Sequence, residues 1–125
     1  MEGYEVKIVE CSKELTGKER VAIKDITNAV KLDSVVTPTE RVEIIPDFTA
    51  LLAVHNENAE NKDYEIFVLV AKDGTKYITS SNSFISSYKG IAEEMKDEVE
   101  EWGIEAYKIE SKNFKGRHFL TCSII

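Results

Sequence analysis

The strongest secondary-structure pattern lies in residues 81–125, which read SNSFISSYKGIAEEMKDEVEEWGIEAYKIESKNFKGRHFLTCSII. Between Phe84 and Trp102, apolar residues recur at spacings of three and four, which predicts a helix with one face on the core. Ser81-Asn82-Ser83 offers the N-cap of this helix, and Gly103 can adopt the left-handed conformation that ends one. Two alternating stretches follow Gly103, so the segment is typical of a helix followed by a β-hairpin.

Strands are predicted for most of the remaining chain. Apolar and charged residues alternate from Tyr4 to Cys11 and, more strongly, from Tyr64 to Val70. Asp73-Gly74 then predicts a type I′ hairpin turn, because Gly and Asp tolerate the positive φ that this turn requires. The predicted strands are residues 4–11, 20–26, 40–55 with an interruption at Pro46, 64–70, 76–79, 104–111 and 117–125.

The order of these elements predicts a mainly β fold with one helix. Several strands, one helix and two further strands match an oligonucleotide/oligosaccharide-binding (OB) fold, a five-stranded barrel with its helix between strands 3 and 4. A general α+β sheet with one packed helix would give the same order, so both architectures stay open. The length of 125 residues predicts a single domain over residues 1–125.

Composition excludes several classes of protein. With 42% hydrophobic and 31% charged residues, the chain is expected to fold into a globular core rather than remain disordered. It has no run of ~18–20 apolar residues and no basic segment leading into an apolar one near Met1. We therefore expect a soluble protein of the cytoplasm that does not contact a membrane.

Motifs for metal binding or catalysis are absent from the sequence. The two cysteines and two histidines are isolated from each other, so no metal site and no cofactor are expected. There is no glycine-rich phosphate loop, no nucleophile elbow and no Cys/His pairing, and the spacing of the acidic residues does not group them around an ion. The chain is therefore expected not to be an enzyme.

Charge is segregated along the chain. The total is −7, from 16 basic and 23 acidic residues, which argues against a uniformly basic nucleic-acid-binding surface. Residues 91–105 carry a net −6 and residues 40–65 a net −5, whereas residues 106–125 carry +3 and residues 12–31 carry +2. A nucleic-acid-binding surface is therefore expected only where the basic segments lie.

The basic C-terminal hairpin also contains aromatic residues. Arg117, Phe119 and Thr121 alternate along one face of the predicted last strand, and Phe114 and Lys115 lie in the turn before it. Cations that follow phosphates and rings that stack on bases, at ~1–3 kcal/mol per base, are the elements of a single-stranded nucleic-acid surface. The alternative is that the two rings pack on neighbouring structure and the lysines only aid solubility.

From Tyr64 onward, the chain resembles the single-stranded-DNA-binding proteins of tailed bacteriophages with protein-primed replication. Three motifs carry the resemblance: AKDGTKY at residues 71–77, IEAYKI at residues 104–109 and SKNFKGRHF at residues 111–119. The resemblance implies non-specific binding of single-stranded DNA, which the protein would protect and melt during phage DNA replication in the bacterial cytoplasm. Single-stranded DNA is the implied partner, and phage or host replication proteins are further candidates.

The predicted DNA-binding residues combine this resemblance with the charge pattern. The candidates for base stacking are Tyr64, Phe67, Tyr77, Tyr107, Phe114 and Phe119, and those for phosphate contacts are Arg20, Lys24, Lys76, Lys108, Lys112, Lys115 and Arg117. For Tyr64, burial with Ile66 and Val68 is an equal alternative. A second hypothesis is an interaction protein whose acidic helix, residues 91–105, engages a basic host or defence partner.

Overall fold

The computed structural model describes residues 3–113 and 115–125. Within them lie the strands β1 (Tyr4–Cys11), β2 (Val30–Lys31), β3 (Val42–Ile44), β4 (Pro46–Asn56), β5 (Asp63–Ala71), β6 (Lys76–Thr79), β7 (Ile104–Glu110) and β8 (His118–Ile124). The helices are α1 (Gly17–Lys24), α2 (Leu32–Val35) and α3 (Asn82–Met95). The chain divides into two compact units, one built from the chain up to Val30 with Asp47–Ser80, the other from Lys31–Pro46 with Ser81–Ile125.

The first unit is built on a five-stranded sheet in the order β1-β4-β5-β6-β2. β1 pairs antiparallel with β4, so Ile8 lies opposite Leu52, and both pack into the core of this unit. Alternation in β1 therefore predicted its strand correctly. In β5 the residues from Ile66 to Leu69 are all buried, so this strand is covered on both faces.

Helix α1 replaces the strand predicted over residues 20–26. Its N-terminus is a capping box, in which the Glu19 amide donates to Thr16 Oγ1 at 3.2 Å and the Thr16 amide donates to Glu19 Oε1 at 3.0 Å. Ile23 is 1% exposed, whereas Val21 is 73% exposed. The alternation of Val21 and Ile23 suggested a strand, but the capping box stabilises a helix that needs only Ile23 in the core.

The hairpin from β5 to β6 lies where it was predicted, with a different turn. The Gly74 amide donates to the carbonyl of Ala71 at 2.9 Å, and Gly74 has φ of 91°. No non-glycine residue in the described part of the chain has positive φ, so Asp73 does not, and the turn is not type I′. The Asp73 carboxylate instead accepts a hydrogen bond from the Thr75 amide at 2.8 Å, which holds the pKa of Asp73 below its usual value.

The second unit is built on a three-stranded antiparallel sheet in the order β3-β7-β8, with α3 packed against β8. Ala106 of β7 lies between Val42 of β3 and Cys122 of β8. On α3, the hydroxyl of Ser83 donates to the backbone carbonyl of Leu120 at 2.6 Å. A helix side chain thus satisfies a carbonyl on the edge strand.

Helix α3 begins where the sequence predicts, but it ends before the predicted end at Trp102. The Ser81 hydroxyl accepts a hydrogen bond from the Phe84 amide, which confirms the predicted cap. The helix ends at Met95, so the prediction of one acidic helix over residues 91–105 is wrong. Four acidic residues occur between positions 97 and 101, where their charges would oppose the negative end of a continuing helix dipole. Val99, which the longer helix would have buried, is 99% exposed.

The mainly β class is confirmed, and the closed barrel is not. Strands in the described residues form two sheets, and three helices accompany them, because α1 and α2 occupy segments that were predicted as strand or left unassigned. Each compact unit uses two stretches of chain, so the single domain stays a prediction. None of the helices in residues 3–113 and 115–125 is long and apolar enough to span a membrane.

Candidate nucleic-acid interface

The predicted DNA-binding residues divide between the two units. The first unit contains Arg20, Lys24, Tyr64, Phe67, Lys76 and Tyr77, and the second contains Tyr107, Lys108, Lys112, Lys115, Arg117 and Phe119. The remaining candidate, Phe114, lies outside the described residues. Each unit therefore contains half of the candidates that the structure describes.

A closed turn joins β7 to β8. The Ser111 amide donates to the carbonyl of Arg117 at 2.8 Å, and the Gly116 amide donates to Glu110 Oε1 at 3.0 Å. Gly116 has φ of 82°, a conformation that glycine adopts without strain. Backbone groups and the Glu110 carboxylate therefore shape the turn. The cations of the turn, Lys112, Lys115 and Arg117, are all exposed.

The hairpin presents apolar side chains beside these cations. Ile109 pairs across the strands with Phe119, and Tyr107 pairs with Thr121, so all four side chains lie on one face of the hairpin. Ile109 is 41% and Phe119 37% exposed, so this pair forms an apolar contact area that solvent reaches. We call Tyr107, Ile109, Phe119, Lys112, Lys115 and Arg117 the hairpin surface.

Arg41 lies beside the hairpin surface, against Tyr107, and the sequence did not indicate it. Its guanidinium carbon lies 4.8 Å from the centroid of the Tyr107 ring, and its Nη1 lies 3.0 Å from Glu105 Oε1. Arg41 immediately precedes β3, in which Val42 pairs with Ala106 of β7. Only the pairing of β3 with β7, which no local pattern predicts, brings Arg41 to Tyr107.

Lys108 is positioned differently from the cations of the turn. Its side chain lies on the opposite face of β7 from Tyr107, and it is half-buried. The ammonium donates to the carbonyl of Asp33 in α2 at 2.8 Å. Its predicted phosphate contact would compete with this bond inside the second unit.

In the first unit, Lys76 also has a backbone partner. Its ammonium donates to the carbonyls of Ala22 and Asp25 at the C-terminal end of α1, the second at 2.6 Å. The last carbonyls of a helix lack partners within the helix and carry partial negative charge, so a lysine there stabilises the helix. This contact explains Lys76 without a phosphate.

The predicted cations of α1 are both exposed. Arg20 donates from Nη1 to the carbonyl of Leu15 at 2.7 Å, which ties its side chain to the N-terminal side of the helix. Lys24 lies in the last helical turn, where a cation complements the helix dipole. Both side chains are exposed, and both lie in the first unit, whereas the hairpin surface lies in the second.

The predicted aromatic residues of the first unit are less exposed than Phe119 of the hairpin surface. Phe67 is 3% exposed, so its ring is covered, and we leave it out of the proposed interface. Tyr64 is half-buried and packs against the core of its unit. Tyr77, also half-buried, pairs with Leu69, and burial raises the pKa of its phenol.

A charged cluster that the sequence did not predict lies at the end of β4. Nδ1 of His55 lies 2.7 Å from Asp63 Oδ1, and Nε2 lies 2.6 Å from Glu57 Oε1. Lys62 pairs with the other oxygen of Glu57 at 3.2 Å. The bonds to Asp63 and Glu57 raise the pKa of His55. No group of three or more His, Cys, Asp or Glu side chains in residues 3–113 and 115–125 could hold a metal ion.

Cationic and aromatic side chains on one exposed hairpin are typical of a single-stranded nucleic-acid-binding protein. A family model described as phage single-stranded DNA-binding protein, of the phi29 type, matches residues 16–125. Because this match spans most of the sequence, the chain belongs to that family. The match confirms the resemblance noted from Tyr64 onward and extends it to residue 16. No curated protein and no solved structure matches the chain.

Family membership identifies single-stranded DNA as the partner and describes a binding protein of phages. The family is typically not enzymatic, in line with the expectation from the missing catalytic motifs. Family membership does not identify the residues that contact DNA.

Proposed function

We propose that the chain binds single-stranded DNA without sequence specificity through the hairpin surface, and that it protects and melts this DNA during phage replication in the host cytoplasm. Phe119 and Tyr107 stack on bases, while Lys112, Lys115 and Arg117 contact phosphates. Non-specific recognition follows because every base has a face on which a ring can stack, and phosphates carry no sequence information.

One observation carries the proposal: an exposed Phe119 and Ile109 pair lies on the hairpin whose turn bears three exposed cations. The exposed ring is available for stacking, and the cations beside it are available to phosphates. Together the two features fit a strand of DNA with its bases on the rings and its phosphates toward the turn.

The remaining predicted residues have secondary roles in this proposal. Arg20 and Lys24 supply further phosphate contacts if the bound strand reaches the first unit, and Tyr64 and Tyr77 are stacking residues of lower exposure than Phe119. Lys76 and Lys108 act chiefly on the protein itself, through the carbonyls to which they donate.

The net charge of −7 limits how the protein binds. Each phosphate contact on a single strand adds about 0.7 to the slope of log affinity against log salt. Three cations in the turn therefore predict a slope of about −2, far smaller than that of a protein with a uniformly basic surface. Binding should be weak beyond about 200 mM salt.

The test is a fluorescence-anisotropy titration of oligo-dT of about 16 nucleotides at about 50 and 200 mM salt. The substitutions Lys112→Gln, Lys115→Gln and Arg117→Gln, made together, should abolish most of the salt dependence and weaken binding at the lower salt. The matched control replaces Lys7, Lys62 and Lys72 with Gln, which changes the net charge equally, and each of these residues is paired with an acidic side chain.

The two triple variants distinguish a localised site from general electrostatics. Equal losses in both would show that only total charge matters, and the hairpin surface would not be the site. Duplex DNA and single-stranded RNA of the same length serve as competitors, and the proposal requires that duplex competes poorly.

A second candidate function is capture of a basic protein partner. Glu94 borders a groove between α3 and β8 whose walls include Ile91, Met95 and Ile124, and the acidic residues 97–101 follow the end of α3. An apolar groove beside acidic residues suits a basic, amphipathic segment. Replacement of Glu94, Glu98 and Glu101 with Lys should abolish such capture and leave binding of oligo-dT at least as tight.

A further inference from the structure

We propose that Arg41 and Tyr107 form a nucleotide subsite, and that Glu105 occupies the position of a DNA phosphate in this subsite when DNA is absent. The inference rests on the proposed function of the hairpin surface, and it assigns a role to Arg41 and Glu105, which this function does not require. Its ligand is one nucleotide unit of single-stranded DNA, with the phosphate on the guanidinium and the base on the face of the Tyr107 ring away from Arg41.

The geometry joins a stacking group to an anion-binding group. The Arg41 guanidinium carbon lies 4.8 Å from the centroid of the Tyr107 ring, and the Tyr107 hydroxyl lies 2.6 Å from Ser123 Oγ. The bond to Ser123 holds the hydroxyl end of the ring in place. Arginine binds phosphate through a planar fork of donors and stacks on aromatic faces, so this pair presents both functions at adjacent positions.

In the free protein, the Glu105 carboxylate forms a salt bridge with the Arg41 guanidinium. Its Oε1 lies 3.0 Å from Nη1 of Arg41, and a carboxylate offers the same pair of oxygens that a phosphate offers to arginine. The Arg41 side chain is 60% exposed and that of Glu105 is 27% exposed, so a phosphate can reach the guanidinium from solvent. DNA binding at this point is then an exchange of carboxylate for phosphate.

A second observation explains why this contact exists in the free protein. Glu43 of β3 pairs directly with Glu105 of β7. Like charges opposite each other on neighbouring strands destabilise the pair. Arg41, which lies two residues before Glu43, compensates this repulsion through its contact with Glu105. When DNA takes the guanidinium, that compensation is lost, so Glu105 lowers the affinity in two ways.

The experiment is a set of titrations with oligo-dT on the full chain and five variants. Glu105→Gln should tighten binding about twofold to fivefold, the range for release of one exposed ion pair, and should leave the salt slope nearly unchanged, because Arg41 contacts the phosphate with or without Glu105. Glu43→Gln changes the net charge equally but keeps the pair of Arg41 with Glu105, so it should tighten binding by less than Glu105→Gln does. Arg41→Gln should weaken binding, and Arg41→Gln with Glu105→Gln should bind as Arg41→Gln alone does.

Each outcome supports or overturns the subsite. Equal tightening in Glu105→Gln and Glu43→Gln, or tightening that persists without Arg41, would mean that Glu105 acts only through net charge, and the subsite would be wrong while the proposed function stood. A chain that fails to bind oligo-dT at low salt would overturn both. Thermal unfolding of each variant checks that the compared proteins are folded, and Glu105→Asp, which keeps the charge but shortens the reach to Arg41, should tighten binding as well.

Discussion

The two units contain similar cationic and aromatic residues, yet these residues have different surroundings. In the first unit, Lys76 donates to two carbonyls at the end of α1, and Phe67 is buried in a strand covered on both faces. In the second unit, the backbone and Glu110 complete the turn of the hairpin, and Lys115 and Phe119 remain exposed. The same residue types therefore stabilise one unit and present a surface on the other.

Residue type and spacing therefore do not determine the role of a cation in this chain. For a lysine, one determinant is whether its ammonium already donates to a backbone carbonyl of the folded chain. Lys76 and Lys108 each have such a partner, although both were predicted to bind phosphate. Substitutions that separate stability from affinity can test this comparison.

The largest effect is expected from Phe67→Ala. The ring is 3% exposed, and its loss should lower the free energy of unfolding by about 3–5 kcal/mol, because a cavity remains where the ring packed. Urea denaturation measures this loss. If Phe67 instead stacked on DNA, the substitution would leave the unfolding midpoint nearly unchanged and weaken oligonucleotide binding.

Phe119→Ala should have the opposite effect: it should lower the affinity for DNA more than the stability of the fold. Loss of one stacking ring should weaken binding of oligo-dT by about 1–3 kcal/mol. Stability should fall less than for Phe67→Ala, since Phe119 is 37% exposed. Anisotropy titration and urea denaturation of the same preparation give both quantities. A large loss of stability with unchanged affinity would place Phe119 with the core residues.

These two phenylalanines also illustrate how far the sequence could lead. Alternation and turn residues predicted β5, β6 and the cap of α3, because each depends on neighbours along the chain. The Thr16 and Glu19 capping box was a local signal for α1 that the alternation of Val21 and Ile23 obscured. Phe67 and Phe119 both stand in alternating strands, and only the tertiary structure distinguishes them.

Contacts between distant segments account for what the sequence could not supply. The carbonyl partners of Lys76 lie 51 and 54 residues away along the chain. Arg41 reaches Tyr107 only because β3 pairs with β7. Such partners depend on the topology, and neither the hydrophobic period nor the charge pattern contains that information.

A smaller effect on stability is expected from Lys76→Met. The substitution keeps the aliphatic part of the side chain and removes the ammonium that donates to the carbonyls of Ala22 and Asp25. The free energy of unfolding should fall by about 1 kcal/mol, the range for a cation at a helix C-terminus. Affinity for oligo-dT should change by less than about twofold, whereas the loss of a phosphate contact would reduce the salt slope by about 0.7.

The smallest effect concerns the His55 cluster, where charged side chains of the first unit pair with each other. Hydrogen bonds to Asp63, and then to Glu57, raise the pKa of His55 above its ordinary value of 6.5. A group whose pKa is raised on folding stabilises the fold fully below its unfolded pKa and loses this contribution as the pH rises through the folded pKa. The bond to His55 also lowers the pKa of Glu57, so that contribution is present above the ordinary Glu value and is lost as the pH falls through the lowered one.

Stability should therefore decrease as the pH rises from about 5.5 to about 8.5, over the titration of His55. His55→Gln should remove that part of the decrease, whereas His118→Gln, the exposed histidine at the start of β8, should leave it in place. Urea denaturation at both pH values measures the difference. Because the proposed DNA contacts do not include this cluster, His55→Gln should leave the affinity for oligo-dT at either pH as it is in the unsubstituted protein. A parallel change in affinity would mean that DNA contacts the first unit at this cluster, and the contrast between an internally paired unit and a DNA-binding one would have to be abandoned.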